Sequence, residues 1–195
     1  MNNTMKHCTI CPRNCGANRY EGEKGYCNAG FLPKCALASI HHWEEPPISG
    51  NKGSGTIFFS HCNLNCVFCQ NYTISEQAFG KEITIEHLSD IFLSQQKKGV
   101  HNINLVSPTH FIPQIKQALL LAKQKGLSIP IVYNTNAYEK VESLKLLEGI
   151  IDIYLPDFKY ISPDFSKRYS LAHNYADYAK KAILEMKRQQ PNMIF

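Results

Sequence analysis

The sequence predicts an α/β protein, a parallel sheet with helices, that is preceded by a small cysteine-rich lobe. From Gly55 onward, strand-like apolar runs alternate with amphipathic helical patterns, which is typical of βαβ units. The chain has eight cysteines, and seven of them fall into two groups at metal-ligand spacing. With 195 residues, 44% of them hydrophobic and 19% charged, the composition is that of an ordinary globular protein.

Two regions are predicted. Residues 1–52 are rich in Cys, Gly, Pro and Asn and show no sustained periodicity. Such a segment buries too little apolar surface to fold unaided, so we expect a metal-held lobe there. The glycine-rich stretch from Ser49 to Gly55 marks the boundary, and residues 53–195 form the core region. Glu44 and Glu45 are expected to form a linker packed by Trp43.

The first two βα units are predicted from apolar patterns and capping residues. The first strand covers Thr56–Ser60, and a helix with Thr84 as its N-cap ends near Gly99. The second strand covers Asn102–Val106. The helix after it ends near Gly126 and places four apolar residues on one face: Ile115, Ala118, Leu119 and Ala122.

Two further units follow in the same order. The third strand, Ile129–Tyr133, precedes a shorter helix at Glu139–Glu148. The fourth strand, Ile151–Leu155, precedes a helix at His173–Gln189 with one apolar face. In parallel α/β barrels the chemistry takes place at the carboxyl ends of the strands, so we expect the functional residues directly after each strand.

Three cysteines follow the first strand as Cys62-x3-Cys66-x2-Cys69. Three thiolates within eight residues indicate a soft metal. A cubane iron–sulfur cluster normally takes four cysteines, so three would leave one iron open to a substrate or cofactor. The alternative is a structural zinc site with His61 as the fourth ligand.

Four more cysteines, Cys8, Cys11, Cys15 and Cys27, are spaced C-x2-C-x3-C-x11-C. Four thiolates, three of them closely spaced in the chain, suit either zinc or a second iron–sulfur cluster, and the spacing does not decide between these two metal sites. Cys35 belongs to neither group and is expected to act as a small buried hydrophobe.

Polar residues follow the other predicted strands and are candidates for cofactor binding. Thr109 and His110 follow the second strand, Asn134 and Asn136 end the third, and Asp157 and Lys159 follow the fourth. Each has a simpler interpretation as well: a helix N-cap for Thr109, turn chemistry for Asn134, and a surface ion pair for Asp157 with Lys159.

These features together resemble the radical S-adenosylmethionine (SAM) proteins related to pyruvate formate-lyase-activating enzyme. Phe68, directly before the third cysteine of the motif, also fits the superfamily signature. The resemblance runs over nearly the whole chain and is strongest in Cys8–Cys15, His42–Gly50, Gly53–Phe59, Cys62–Asn71, Pro130–Thr135 and Asp152–Tyr160.

The resemblance implies a [4Fe-4S] cluster on Cys62, Cys66 and Cys69, with SAM chelating the open iron. An electron donor reduces the cluster, and SAM is cleaved to a 5′-deoxyadenosyl radical that abstracts hydrogen, in some relatives from a glycyl radical enzyme. The family fold is an incomplete barrel of six βα units. We count about four, which predicts a partial (β/α) radical SAM barrel and a C-terminally truncated chain, since Gln190–Phe195 lacks a strand pattern.

The sequence departs from the family at two strand ends. Ser107-Pro108-Thr109-His110 stands where most members have a Gly-Gly-Glu turn, so the amino group of SAM is expected to be held differently. Asn136-Ala137 stands where the family has Ser-Gly.

Composition excludes several other function classes. The net charge of +5 is scattered rather than concentrated in a basic run with aromatic residues, so no nucleic-acid partner is expected. No apolar run is long enough for a membrane helix or a signal peptide, and metal-spaced cysteines without such a signal predict a cytoplasmic protein. The alternatives to a radical SAM enzyme are a truncated, non-catalytic iron–sulfur electron-transfer protein and a zinc-binding module.

Overall fold

A computed structural model describes residues 2–192. Within them, one six-stranded sheet has the order β3-β1-β2-β4-β5-β6. Strands β2, β4, β5 and β6 are parallel, whereas β1 runs antiparallel to β2, and β3 runs antiparallel to β1. The strands are β1 Lys34–His41, β2 Ser54–Phe59, β3 Lys81–Glu82, β4 Ile103–Val106, β5 Ile131–Thr135 and β6 Ile153–Pro156. The predicted α/β class and its four parallel strands are therefore confirmed.

Each parallel strand is followed by at least one helix. The helices are α1 Asn2–Lys6, α2 Pro46–Ser49, α3 Tyr72–Ser75, α4 Ile85–Lys97, α5 Ile112–Gln124, α6 Val141–Lys145, α7 Pro163–Ser170 and α8 Tyr175–Gln189, and 3₁₀ turns lie at Arg19–Glu21 and Thr109–Phe111. Helices α1 and α2 precede the first parallel strand, β2. The predicted N-cap of α4 is confirmed, because the Thr84 hydroxyl accepts a 3.1 Å hydrogen bond from the backbone N–H of His87.

The strand register divides the sheet into two faces. Ile57, Leu105 and Tyr133 lie opposite one another on neighbouring strands and pack in the core with the apolar sides of α4 and α5. The next row, one residue along each strand, begins with Phe58 and includes Asn134. Because successive side chains point to opposite faces, this second row faces away from the helices and lines an open cavity.

The N-terminal region is part of this sheet. Strand β1 pairs with β2 along its length, and the buried residues Cys8, Cys11 and Cys27 pack in the same core cluster as Ile57. Strand β1 was not predicted from the sequence, because a register irregularity between Cys35 and Leu37 interrupts its alternation. Residues 1–52 thus contribute to the main sheet, and their separate metal site stays a prediction.

Three further expectations differ from the structure. Helix α7 was not predicted, because its eight residues, rich in Ser, Lys and Arg, carry too short an apolar pattern. Trp43 is 88% exposed, so the expectation that it packs the Glu44–Glu45 linker is wrong. Cys35 is half-buried and packs at the margin of the core.

The sheet of the described residues is not closed, since β3 and β6 are its edges. The number of units in a complete barrel remains a prediction, and the last three residues of the tail, 193–195, lie outside the described range. None of the helices in residues 2–192 combines the length and apolar character needed to cross a bilayer.

Neighbouring leucines of α5 allow a matched test of the core. Leu119 is fully buried, whereas Leu120 is 43% exposed. We expect Leu119→Ala to lower the free energy of unfolding by about 2–5 kcal/mol, through lost burial and the cavity left behind. Leu120→Ala, in the same helix, should change it by less than about 1 kcal/mol. Urea unfolding followed by circular dichroism measures both, and equal losses would contradict the assignment of the buried face.

Candidate functional site

A cavity of about 500 Å³ opens where the four parallel strands end. Cys62, Cys66 and Cys69 line it from the loop after β2. Its other polar residues lie at or after the ends of β1, β2, β4, β5 and β6: His41, Glu44, His61, Gln70, Asn71, Ser75, Ser107, Asn134, Thr135, Asn136, Asp157 and Lys159. The parallel arrangement therefore brings the three cysteines and the predicted strand-end residues Asn134, Asp157 and Lys159 to one place.

Hydrogen-bond donors point at the sulfur atoms of the cysteine loop. The Cys62 Sγ lies 3.4 Å from the backbone N of Leu64 and 3.5 Å from the side-chain amide nitrogen of Asn136. The hydroxyl of Ser75 lies 3.3 Å from the Sγ of Cys69. Donors in these positions stabilise thiolates, so this set of residues fits a metal cluster held by three cysteines.

Burial raises the pKa of the Cys62 thiol, with the neighbouring thiols Cys66 and Cys69 adding to the effect. A bound cation reverses this balance, because a thiol that ligates a metal is deprotonated. Within residues 2–192, no group of three or more His, Cys, Asp or Glu side chains is placed so that it could hold a metal ion. Binding a cluster therefore requires the cysteine side chains to turn towards a common point.

Tyr175 connects the loops after β5 and β6. Its hydroxyl lies 2.8 Å from the carbonyl of Asn136 and 3.1 Å from that of Asp157, and it accepts a 2.9 Å hydrogen bond from the backbone N–H of Lys159. Asn136 in turn donates to the Asn63 side chain in the cysteine loop, at 3.0 Å. One buried tyrosine thus sets the spacing between two edges of the cavity.

Comparison with known proteins supports the same chemistry. Residues 56–194 match the family model described as the Radical SAM superfamily. The chain belongs to the radical SAM superfamily. Membership implies a [4Fe-4S] cluster and SAM.

Two relatives from Methanocaldococcus jannaschii are similar to this radical SAM chain. The uncharacterized protein MJ0674 is 34% identical over 198 residues, which cover 96% of this chain and 56% of the relative. The uncharacterized protein MJ0808 is 27% identical over 158 residues, which cover 72% of this chain and 46% of the relative. The chain spans about half the length of these relatives, and neither name states an activity.

Two of the residues expected to bind the radical SAM cofactor lie beneath the cavity instead. The described side chains of Thr109 and His110 are each 1% exposed and do not line it. The His110 Nε2–H donates to the Ser60 carbonyl at 2.8 Å, and burial lowers the pKa of His110 to about 3. His110 is therefore a neutral support for the strand end, and the expectation of direct cofactor contact by these two residues is not supported by their placement.

Thr109 belongs to a buried network centred on Glu139. The Glu139 Oε1 accepts hydrogen bonds from the hydroxyls of Thr109 (2.6 Å), Thr135 (2.6 Å) and Tyr133 (3.1 Å). The Oε2 atom is buried and has no partner among the described residues. Desolvation raises the pKa of Glu139 to about 7, against the three hydrogen bonds, which lower it. This network ties the turn after β4 to the end of β5 under the site.

Left-handed backbone conformations occur just beyond the ends of three parallel strands. His61 (φ +72°), Ser107 (φ +56°) and Ala137 (φ +61°) each lie one or two residues beyond the end of a parallel strand. Residues other than glycine are strained there, and such strain is typical of functional sites. Ser107 and Ala137 also lie in the two segments where the sequence departs from the radical SAM pattern, which has glycine in both.

Asn136 was a sequence candidate together with Asn134, because it lies at the end of a strand, although ordinary turn chemistry explained it nearly as well. Sequence patterns missed two other residues of the radical SAM site. Tyr175 carried no signal, because it also belongs to the apolar face of α8. Glu44 lines the cavity and is hydrogen-bonded by the side-chain amide of Asn104, although its sequence context indicated only a linker. Burial raises the pKa of the Glu44 carboxyl, and the neighbouring Glu45 adds to this.

The second cysteine set lies outside the radical SAM cavity. Cys8, Cys11 and Cys27 are buried, and Cys15 is exposed. Burial raises the pKa of Cys11 to about 12 and that of Cys27 above its ordinary value. As free thiols, Cys11 and Cys27 are therefore protonated at neutral pH.

The Glu139 network makes a pH-dependent contribution to stability. Because the pKa of Glu139 is about 7 in the folded chain and 4.5 when exposed, its contribution is fully present below pH 4.5 and is lost as the pH rises to about 7. Glu139→Gln cannot ionise, so the variant does not lose this contribution as the pH rises. The free energy of unfolding of the variant minus that of the wild type should therefore increase by up to about 3 kcal/mol between pH 4.5 and 7. Denaturant unfolding at pH 4.5, 6 and 8 measures the difference, and a difference independent of pH would contradict this assignment.

Proposed function

We propose that this chain binds a [4Fe-4S] cluster through Cys62, Cys66 and Cys69 and cleaves SAM reductively in the strand-end cavity. The observation that carries the proposal is that these three thiols line the same cavity as Asn134 and Lys159. Such a site can hold a cluster and a polar cofactor side by side. When bound, the cluster supplies the electron for cleavage of the sulfonium of SAM.

The residues of the chain have separate roles in this proposal. Lys159 forms an ion pair with Asp157, which orients its ammonium group at the cavity edge. The amide of Asn134 has no hydrogen-bond partner among the described side chains, so it is free to bind a polar group of SAM. Phe58 and Val106 form an apolar part of the wall, which excludes water from a reactive species.

The relation to pyruvate formate-lyase-activating enzyme leads to a finer proposal. In that proposal a cluster held by Cys62, Cys66 and Cys69 would take its electron from an external donor. The 5′-deoxyadenosyl group would then take a hydrogen atom from a partner protein such as a glycyl radical enzyme, which would leave 5′-deoxyadenosine and a radical on the partner. Two apolar side chains of the cysteine loop support contact with a protein, since Val67 is 75% and Phe68 55% exposed beside the ligands. The substrate itself rests on analogy with the family.

A non-catalytic electron-transfer protein is the second candidate. It would use the same three cysteines but would not need a cofactor cavity with polar strand-end residues. The presence of Asn134 and the Asp157–Lys159 pair in the cavity therefore favours the enzyme.

Replacing Cys62, Cys66 or Cys69 singly by Ala should remove the cluster, because each thiolate holds one iron. After anaerobic reconstitution with iron and sulfide, we expect loss of the brown absorbance and of 5′-deoxyadenosine formation from SAM. Cys35→Ala is the matched control, since Cys35 belongs to neither metal set and should leave both intact. A full cluster in all three variants would exclude this ligand set, and a cluster without SAM cleavage in the unmodified chain would favour the electron-transfer protein.

Replacing Lys159 or Asn134 by Ala should weaken SAM binding and leave the cluster absorbance unchanged. Loss of one hydrogen bond to a charged group corresponds to about a tenfold increase in Kd. Anaerobic calorimetry measures it, with Lys180→Ala on the exposed side of α8 as control. Unchanged affinity in both variants would limit these residues to supporting the turns.

A further inference from the structure

Arg13, between the second and third cysteines of the N-terminal set, reaches the cysteine loop of the cavity. Its Nε donates to the Asn63 carbonyl at 2.9 Å, and its Nη2 lies 3.3 Å from the Leu64 carbonyl. Asn63 and Leu64 are the residues that follow Cys62. A side chain 50 positions away thus binds the backbone between the first two proposed cluster ligands.

The same guanidinium binds the end of α7. It donates to the Ser170 carbonyl at 2.7 Å and to the Leu171 carbonyl, at the point where α7 terminates. The cysteine loop is linked to this helix end as well, through the 2.9 Å hydrogen bond from the Val67 N–H to the Tyr169 carbonyl. Arg13 therefore joins three segments: its own, the cysteine loop and α7.

Aromatic rings fix the position of the guanidinium. It stacks 3.6 Å from the centroid of Tyr26 and lies 5.2 Å from that of Tyr138. The planar guanidinium group of Arg13 binds four carbonyls and stacks on a tyrosine ring, so the single ammonium group of a lysine could replace only part of these contacts. Its position depends on the segment that carries it, which lies between Cys11 and Cys15.

Two turns bring the four N-terminal cysteines together. The Cys8 N–H donates to the Ala17 carbonyl and the Gly16 N–H to the Cys8 carbonyl, both at 3.0 Å, which closes the loop that holds Cys11 and Cys15. The turn before Cys27 presses against this loop at Gly25. A Cβ atom there would lie 2.2 Å from the Cys15 Sγ, so only glycine allows this approach.

Charge and burial at this set indicate a ligand. Cys8, Cys11 and Cys27 are 4%, 5% and 8% exposed, and the thiol of Cys27 is within electrostatic reach of Cys8 and Cys15. Arg19 is 2% exposed, and its guanidinium donates to the backbone carbonyls of Gly30 and His110. No carboxylate among the described residues compensates its charge, and its Nη1 lies 4.0 Å from the Cys8 Sγ. A metal held by four thiolates carries net negative charge and would compensate this buried cation.

We propose that Cys8, Cys11, Cys15 and Cys27 bind a single soft divalent ion, zinc or iron, and that this site holds Arg13 as the positioning residue of the cluster-binding loop. The tight burial of three of the thiols suits one tetrahedral ion better than an eight-atom cubane. As described, neither these thiols nor those of Cys62, Cys66 and Cys69 converge on a common point, so the proposal requires them to turn about χ1 when the ion binds. The positioning role rests on the proposed function, whereas the metal site does not.

The metal site is tested in the full chain with Cys62, Cys66 and Cys69 all replaced by Ala, so that only the N-terminal set can respond. We expect this variant to bind about one zinc per chain and, with cobalt as the probe, to show the charge-transfer and ligand-field bands of tetrahedral thiolate coordination. Adding Cys11→Ser should abolish both signals. Cobalt in an octahedral site, no binding, or a sulfide-containing cluster on these cysteines would overturn the assignment.

The positioning role is tested with Cys62, Cys66 and Cys69 intact. Arg13→Ala and Cys11→Ser should change the electron paramagnetic resonance line shape of the reduced cluster in the same way and slow SAM cleavage about tenfold or more, since small misplacements of reacting groups are costly. Arg13→Lys should recover part of the rate, and Arg168→Ala, on the exposed side of α7, should match the wild type. Circular dichroism verifies that each variant is folded.

Two outcomes overturn this role. Loss of zinc in Cys11→Ser with an unchanged line shape and rate would show that the site does not act on the loop. Absence of any cluster from the unmodified chain would remove both the proposed function and the positioning role, while the zinc measurement would still decide the metal site.

Discussion

The parallel register of β2, β4, β5 and β6 is the constraint on which the site depends. Because these strands run in one direction and pair residue by residue, their carboxyl ends meet at one edge of the sheet. The cysteine loop, Asn134 and the Asp157–Lys159 pair are far apart in the chain and share a cavity only for this reason. Helices α4 and α5 cover the opposite face, so the face that carries Phe58 and Asn134 remains open.

Buried polar groups then fix the strand ends. Glu139 collects the hydroxyls of Thr109, Thr135 and Tyr133, and Tyr175 spans the loops after β5 and β6. In a low-dielectric interior such bonds are strong, and an unpaired partner is costly. The strained conformations of Ser107 and Ala137 persist because this framework holds the turns in place.

The cysteine loop is held from the N-terminal side as well. Arg13 binds its backbone, and Asn63 donates to the Tyr138 carbonyl at 2.7 Å. A loop that binds a cluster must present its thiols in one geometry, and contacts from separate segments reduce the number of alternatives. Cys8, Cys11 and Cys27 pack in the main core, so the segment that carries Arg13 is held in the same body as the cysteine loop.

The sequence by itself determined the fold class and the four parallel strands, and it predicted metal binding by the cysteines. Those features depend on local signals: apolar periodicity, capping residues such as Thr84, and the spacing of Cys62, Cys66 and Cys69. Strand-end placement also identified Asn134, Asp157 and Lys159. Thr109 and His110 satisfied the same rule, but their side chains point below the cavity, and direction is set by packing against other elements.

Tertiary structure alone decided the contacts between distant segments. No local pattern relates Arg13 to Asn63 or Tyr175 to Asn136, because these bonds form between residues separated by 50 and 39 positions. Strand β1 was hidden for a related reason, since a half-exposed antiparallel strand with a bulge takes its conformation from the pairing with β2 rather than from its own alternation. The local pattern thus specified which elements form, and the long-range hydrogen bonds decided which side chains meet at the site.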